Sequence, residues 1–215
     1  MIFIFDYDNV LYPADLGIIE KIDDKIAEFI KIKLNVSIEK AHNIRKDYYN
    51  KYGTTIEGLK LHHNINPKEY FDFILDIDLT LKKDSDLINL LNHIEGDKFI
   101  FSNGLKRYIK KGLKMLGIHE FFNEIFDIEF FSFSGKPNKE SYKKVNQYIK
   151  KIYPNENDII FIDDRLINLY PACNLGWKCF WLKWEYDNSS LNGKTNDITI
   201  INNIYDIIHY IKRRR

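Results

Sequence analysis

Two aspartates, Asp6 and Asp8, stand one residue apart directly after the apolar run Ile-Phe-Ile-Phe at positions 2–5. A short continuous apolar run is typical of a strand that is buried on both faces of a parallel sheet. Because ligands of open α/β sheets bind beyond the carboxyl ends of such strands, both carboxylates fall where a reacting group belongs. An acidic turn that ends an ordinary strand is the alternative, and this segment alone does not separate the two.

Further polar side chains stand beside later segments of the chain: Ser102 and Asn103 after the run 98–101, Lys136 before Pro137, and Asp163 and Asp164 after the run 158–162. If these segments meet at one sheet edge, three or four carboxylates share a small volume. Two unit charges about 4 Å apart repel by about 4 kcal/mol at an effective dielectric constant of ~20, so the cluster requires a divalent cation. Oxygen ligands without histidine or cysteine favour Mg²⁺.

The remaining polar groups suit an anion at the same place. The ammonium group of Lys136 and the hydroxyl of Ser102 would hold the anionic oxygens of a phosphoryl group. Backbone N–H groups near Asn103 and Tyr7 would assist them. The predicted chemistry is therefore phosphoryl transfer at a magnesium site.

Alternating strands and helices would position these groups. Apolar runs predict strands at 2–5, 98–101, 158–162 and 177–184, and helical patterns cover 105–116, 139–153 and 204–212. Alternation of this kind is typical of βαβ units and therefore predicts an α/β fold with a parallel sheet.

Residues 14–85 interrupt that alternation with helical patterns, which cover 18–34, run from a cap at Ser37 through Tyr49, restart at Thr54, and continue from Pro67 to Leu75. Because loops at the carboxyl edge of a sheet face the site, this insertion would lie over the first turn as a lid. A plain helical decoration is the alternative. We expect a catalytic core of residues 1–13 and 86–215 and a helical cap of residues 14–85.

The composition excludes several classes of protein. Hydrophobic residues make up 45% of the 215 residues and the formal net charge is +1, which gives no electrostatic argument for a nucleic acid or a membrane as partner. Two cysteines, Cys173 and Cys179, provide no disulfide framework. We expect a soluble cytoplasmic protein whose basic end, residues 212–215, is a solvated helix terminus, and whose oligomeric state is not determined by the sequence.

In this order and spacing, the motifs resemble those of the haloacid-dehalogenase superfamily of phosphatases. Asp6-Tyr-Asp-Asn-Val-Leu11 matches the motif D-x-D-x-[TV]-L, and it is followed by the strand-ending Ser102, by Lys136-Pro137 and by the pair Asp163-Asp164. The resemblance implies a Rossmann-like parallel sheet with helices on both faces, and a small helical cap inserted after the first motif.

A closer resemblance points to the pyrimidine 5′-nucleotidase subfamily. The segment Tyr52-Gly-Thr-Thr-Ile-Glu-Gly-Leu59 is similar to Y-G-T-T-x-x-G-L, and similar segments begin at Asp8 and Phe161. By this resemblance the cap residues Tyr52, Gly53, Thr54 and Thr55 select the substrate. The chain departs from the subfamily pattern at Val10, at Tyr108, where a histidine is common, and at Arg165, which adds charge near the phosphate.

The resemblance also implies a mechanism. Asp6 would form an aspartyl-phosphate, Asp8 would act as general acid and base, and Lys136 would neutralise the phosphoryl group. Mg²⁺ would be held by Asp6, the backbone carbonyl of Asp8 and Asp164, with Asp163 supporting the ligands. The expected substrate is a nucleoside 5′-monophosphate. The alternatives are another small phosphate, such as a lysophosphatidic acid, pyridoxal phosphate or a sugar phosphate, and a non-catalytic scaffold on the same fold.

Overall fold

The computed structural model of the chain describes residues 1–185, 187, 189–190 and 197–212. These residues contain one parallel sheet of six strands in the order β3-β2-β1-β4-β5-β6. The strands are β1 (Ile2–Phe5), β2 (Asp97–Phe101), β3 (Glu124–Phe126), β4 (Ile159–Asp163), β5 (Lys178–Leu182) and β6 (Ile198–Ile201).

Nine helices accompany the sheet within the described residues: α1 (Ile18–Leu34), α2 (Ile38–Tyr52), α3 (Thr55–His63), α4 (Pro67–Ile74), α5 (Ser85–His93), α6 (Lys106–Leu116), α7 (Lys139–Ile152), α8 (Leu166–Cys173) and α9 (Ile207–Lys212). None of them is both long enough and apolar enough to cross a membrane.

Each face of the sheet is covered by its own apolar cluster. Successive side chains of a strand point to opposite faces, and in β1 Phe3 and Phe5 join one cluster while Ile2 and Ile4 join the other. The first cluster includes residues of α5, α6 and α9, and the second includes residues of α7 and α8. The predicted Rossmann-like sheet with helices on both faces is confirmed.

Helices α1 to α4 form the helical cap around a third apolar cluster. Local signals fix their starts: Ser37 caps α2 by accepting from the N–H of Lys40, Thr54 caps α3, and Asn66 caps α4 just before Pro67. Leu105 and Ile128 of the core belong to the same cluster. The cap is therefore packed directly against the core.

The sheet is more extensive than the apolar runs indicate. β1, β2 and β4 lie within one residue of their predicted positions, and β5 occupies the middle of the predicted run 177–184. β3 and β6 were not predicted, and neither were α5 and α8. Of the basic cluster at residues 212–215, Arg213, Arg214 and Arg215 lie outside the described residues.

Candidate active site

The candidate site lies where the direction of the strand order changes. β1 is flanked by β2 on one side and by β4 on the other, and the chain crosses from β3 to β4 over β1. Ligands of open α/β sheets bind at such a switch point, beyond the carboxyl ends of the strands. Asp6 follows β1, Ser102 follows β2, and Asp163 ends β4. The topology therefore brings the predicted groups to one edge.

A buried lysine connects two of the carboxylates. Lys136 Nζ lies 2.9 Å from Asp6 Oδ2 and 2.6 Å from Asp163 Oδ2. Burial lowers the pKa of Lys136, but the carboxylates of Asp163 and Asp6 outweigh it and raise the pKa above its ordinary value. The lysine is therefore a permanent cation at the centre of the site.

The side chain of Asn103 holds the lysine in place. Its Oδ1 accepts from the backbone N–H of Lys136 at 2.8 Å, and its Nδ2 donates to the carbonyl of Lys136 at 2.9 Å. Ser102 is buried beside it, and its Oγ accepts from the backbone N–H of Gly104 at 3.0 Å. The structure thus brings Ser102 and Asn103 to the predicted place, where the amide of Asn103 positions Lys136.

The two adjacent aspartates after β4 have different surroundings. Asp163 is fully buried, and its oxygens accept from Lys136, from the backbone N–H of Arg165 and from Asn168 Nδ2. Asp164 is only partly buried and accepts from Asn9 Nδ2 at 3.3 Å. The oxygens of Asp163 are therefore occupied by donors of the protein, whereas Asp164 faces the cavity.

Three carboxylates are close enough to share a cation. One oxygen from each of Asp6, Asp163 and Asp164 lies within 4.8 Å of the other two. Burial and the neighbouring carboxylates raise the pKa of Asp6 well above its ordinary value, although Lys136 opposes the rise. Burial and the charge of Asp163 raise the pKa of Asp164 to about 7. A set of hard oxygen donors whose ionisation is this costly fits a divalent cation such as Mg²⁺.

Two tyrosines hold the carboxylate of Asp8. Tyr12 and Tyr108 donate their hydroxyls to Asp8 Oδ1 at 2.5 and 2.8 Å, which leaves Oδ2 for a reacting group. Burial raises the pKa of Asp8, and the two hydroxyl donors oppose the rise. Tyr108 thus has a clear role at a position where the chain departs from the subfamily pattern that it resembles. Tyr12 was not identified from the sequence, where it belonged only to the segment that begins at Asp8.

A cavity of about 230 Å³ lies between the carboxylates and the cap. Gly53, Thr54, Thr55 and Arg165 line it, but Tyr52 does not: its hydroxyl instead contacts His62 Nε2 at 2.5 Å. The structure therefore brings three of the four cap residues named from the sequence to the cavity.

Several contacts join the cap to the core around this cavity. Ser134 donates to Glu57 of α3 at 2.9 Å, and Lys60 donates to the carbonyl of Ser132 at 3.0 Å. The Arg165 guanidinium lies 4.2 Å from the centre of the Tyr49 ring of α2, in cation–π geometry. The cap is thus in contact with the core around the cavity, which stays partly open to solvent.

Two tryptophans fix the site loops from the side of β5. Trp181 donates its indole N–H to the carbonyl of Asp164 at 3.0 Å, and Trp184 donates to the carbonyl of Asn9 at 3.1 Å. Both residues contribute apolar packing as well. These two hydrogen bonds could not be predicted, because nothing in the sequence signals the direction of an indole N–H.

The sequence profile of the haloacid dehalogenase-like hydrolases matches residues 1–172. The chain belongs to this family. Phosphate metabolism protein 8 of Saccharomyces cerevisiae is 24% identical over 213 residues, an alignment that covers 91% of this chain and 66% of the yeast protein, so the chain spans just under two thirds of that relative's length.

Solved structures share the fold. YfnB of Bacillus subtilis, described as a HAD-hydrolase and solved bound to magnesium, superposes with a TM-score of 0.61 at 16% identity, covering 98% of this chain and 97% of its own. The L-2-haloacid dehalogenase of Xanthobacter autotrophicus gives a TM-score of 0.57 at 12% identity, covering 99% and 98%. At these low sequence identities, the comparison shows only that the fold is shared.

Proposed function

We propose that this hydrolase is a Mg²⁺-dependent phosphomonoesterase that acts through an aspartyl-phosphate. The observation that carries the proposal is the arrangement of Asp6, held by Lys136, beside a second carboxylate, Asp8, in the cavity beneath the cap. Asp6, the Asp8 carbonyl and Asp164 would hold the metal, with Asp163 in support. When bound, Mg²⁺ would neutralise part of the phosphate charge and orient it.

In the first half-reaction, an oxygen of Asp6 attacks phosphorus. A bond forms between that oxygen and phosphorus, the bond from phosphorus to the leaving oxygen breaks, and Asp8 donates a proton to the leaving oxygen. The raised pKa of Asp8 favours the protonated form that this step needs. Lys136 balances the charge of the transferring group.

In the second half-reaction, Asp8 acts as the base. It takes a proton from a water molecule that attacks phosphorus, the bond to Asp6 breaks, and inorganic phosphate leaves. Because Tyr12 and Tyr108 hold Oδ1 of Asp8, the other oxygen stays directed for both proton transfers. The cap lies over the cavity and would limit the access of bulk water while the leaving group is bound.

We propose nucleoside 5′-monophosphates, the pyrimidine ones first, as substrates. The cap segment from Gly53 to Thr55 lines a cavity of about 230 Å³, which lies below the usual range of ligand pockets and suits a small leaving group better than a lipid chain. The name of the yeast relative, Phosphate metabolism protein 8, is consistent with phosphate chemistry.

Phosphate release across a panel of phosphomonoesters tests the proposal. The panel contains UMP, CMP, AMP, a sugar phosphate, pyridoxal phosphate and a lysophosphatidic acid, each with Mg²⁺ and with excess EDTA. We expect the highest kcat/KM with UMP and CMP and no turnover in EDTA. A sugar or lipid phosphate in first place would overturn the substrate but not the chemistry, while full turnover in EDTA after metal removal would overturn the chemistry.

A further inference from the structure

The cap side of the cavity carries one carboxylate, that of Asp23 on α1. Most of its neighbours in the cavity wall are apolar side chains of the cap: Ile19, Ile22, Ile26, Phe71, Ile74 and Leu75. The Asp23 side chain is 36% exposed, so its carboxylate is accessible to a ligand in the cavity. The cap therefore places a hydrogen-bond acceptor where the leaving group would lie.

Arg45 of α2 holds this carboxylate from behind. Its Nη1 lies 2.8 Å from Asp23 Oδ1, and Arg45 itself does not line the cavity. The contact fixes one oxygen of Asp23 and leaves Oδ2 for a ligand. Thr55 donates its hydroxyl to the backbone carbonyl of Arg45 at 3.3 Å, so the arginine is tied to the cap segment that lines the cavity.

Asp23 is separate from the phosphate end of the cavity. The ionisable groups that act most strongly on it are Arg45, Glu20, Asp24 and His42, all of which belong to the cap. Tyr70, a buried aromatic residue of α4, stands within electrostatic reach and lines the same cavity. Apolar walls, an aromatic ring and one anchored carboxylate suit a flat ring that has a donor on its edge.

We propose that Asp23 is the specificity-determining residue of the cap, and that it accepts a hydrogen bond from an N–H group on the edge of a heteroaromatic leaving group. Uracil offers its ring N3–H to such an acceptor, and cytosine offers its amino group. The proposal rests on the phosphomonoesterase activity proposed above and assigns its leaving-group selection to a single side chain.

Two nucleotides that differ in one group, together with a substrate that has no N–H group, test the inference. In 3-methyluridine 5′-monophosphate a methyl group replaces the hydrogen on N3 of UMP. Phenyl phosphate has no N–H group at all. We expect the protein to hydrolyse UMP with a kcat/KM at least about tenfold above that of the methylated nucleotide, since a site built to accept a hydrogen bond discriminates against an analogue that lacks the donor.

Variants separate the hydrogen bond from the bulk of the methyl group. Asp23→Leu should bring the two nucleotides to within about threefold of each other and leave phenyl phosphate turnover within about twofold of the original. Asp24→Leu, at the exposed neighbouring position on the same helix, is the matched control and should keep the full difference. If Asp23→Leu folds poorly because Arg45 loses its partner, the double variant Asp23→Leu/Arg45→Met replaces it.

The outcomes distinguish this inference from the function on which it rests. Equal losses on all three substrates, or an unchanged preference for UMP in Asp23→Leu, would overturn the role of Asp23. Equal turnover of UMP and 3-methyl-UMP by the unmodified protein would do the same without any variant. Absence of turnover on every substrate, phenyl phosphate included, would instead overturn the phosphomonoesterase itself.

Discussion

Asp163 and Asp164 are neighbours in sequence, but their oxygens are engaged differently. Those of Asp163 are occupied by Lys136, Arg165 N–H and Asn168, whereas Asp164 accepts one long hydrogen bond from Asn9 and faces the cavity. The first aspartate therefore supports the site from within, and the second is available to a metal ion.

Asp164→Asn and Asp163→Asn should affect different properties, the Mg²⁺ requirement and the stability of the protein. We expect Asp164→Asn to raise the Mg²⁺ concentration needed for half-maximal activity by about tenfold or more, with little loss of stability. Asp163→Asn breaks a buried ion pair with Lys136 and should lower the free energy of unfolding by about 3–5 kcal/mol. Metal titration and denaturant unfolding measure the two effects, and the reverse pattern would show that Asp163, not Asp164, is the metal ligand.

Substitutions of Asp6 and Asp8 should reduce turnover to different extents. Asp6→Asn should have no detectable turnover, because an amide is a poor nucleophile and a weaker ligand for Mg²⁺. Asp8→Asn should lose about 10²–10⁴ in kcat, the usual contribution of general acid–base catalysis. Steady-state phosphate release measures both. Near-normal activity of Asp6→Asn would exclude Asp6 as the nucleophile.

Among the structural elements, the junction of α2 and α3 connects the cap to the catalytic lysine. Gly53 ends α2 with a φ of 82°, and a Cβ at this position would lie 2.4 Å from Pro137 Cδ and 2.8 Å from the carbonyl oxygen of Lys136. The segment that carries Lys136 therefore packs against the cap at a point where only glycine fits.

Gly53→Ala should consequently lower activity through the position of Lys136. We expect kcat to fall by about tenfold or more on nucleotides and on phenyl phosphate alike. Gly176→Ala is the matched control, since its φ of 79° imposes the same backbone strain but a Cβ there would meet nothing within 4 Å. Gly176→Ala should lose stability and keep its kcat. Equal kcat values for the two variants would refute the contact argument.

The elements that could be predicted from the sequence are those whose apolar pattern is long or continuous. β1, β2 and β4 are buried along their whole lengths or nearly so, and each precedes a polar cluster. β3 has three residues and β6 has exposed residues at its centre, so neither presents a continuous apolar run. α8 contains Pro171, which normally argues against a helix.

The residues of the candidate active site likewise differ in whether they could be predicted from the sequence. Asp6, Lys136 and Asp164 could be predicted because each follows a strand or belongs to a motif, and the topology brings such positions together. Tyr12, Asp23 and Arg45 could not, because their roles depend on how the cap and the core pack. Contacts between segments distant in sequence leave no local pattern.

Stability of the whole molecule should depend on pH and on metal together. The pKa of Asp164, about 7, lies above the ordinary value near ~3.9. The folded state therefore holds this proton more tightly than the unfolded chain, and the metal-free protein loses stability as the pH rises from about 4 to about 7. Mg²⁺ favours the ionised carboxylates, so the Tm difference between Mg²⁺ and EDTA should be larger at about pH 8 than at about pH 5.

Asp164→Asn is the control for that titration, because an amide does not ionise in this range. The Tm difference between Mg²⁺ and EDTA should be smaller in this variant and should change less with pH. A difference that is the same in both proteins at every pH would show that Mg²⁺ does not bind through Asp164.

Trapping of a covalent intermediate would show directly whether Asp6 is the nucleophile. Asp8→Asn is mixed with 4-nitrophenyl phosphate, whose leaving group needs no proton, and the reaction is quenched in acid and analysed by mass spectrometry. We expect a burst of about one nitrophenolate per protein molecule and the added mass of one phosphoryl group on the peptide that contains Asp6. Steady release without a burst, with no phosphoryl group on Asp6, would contradict this expectation.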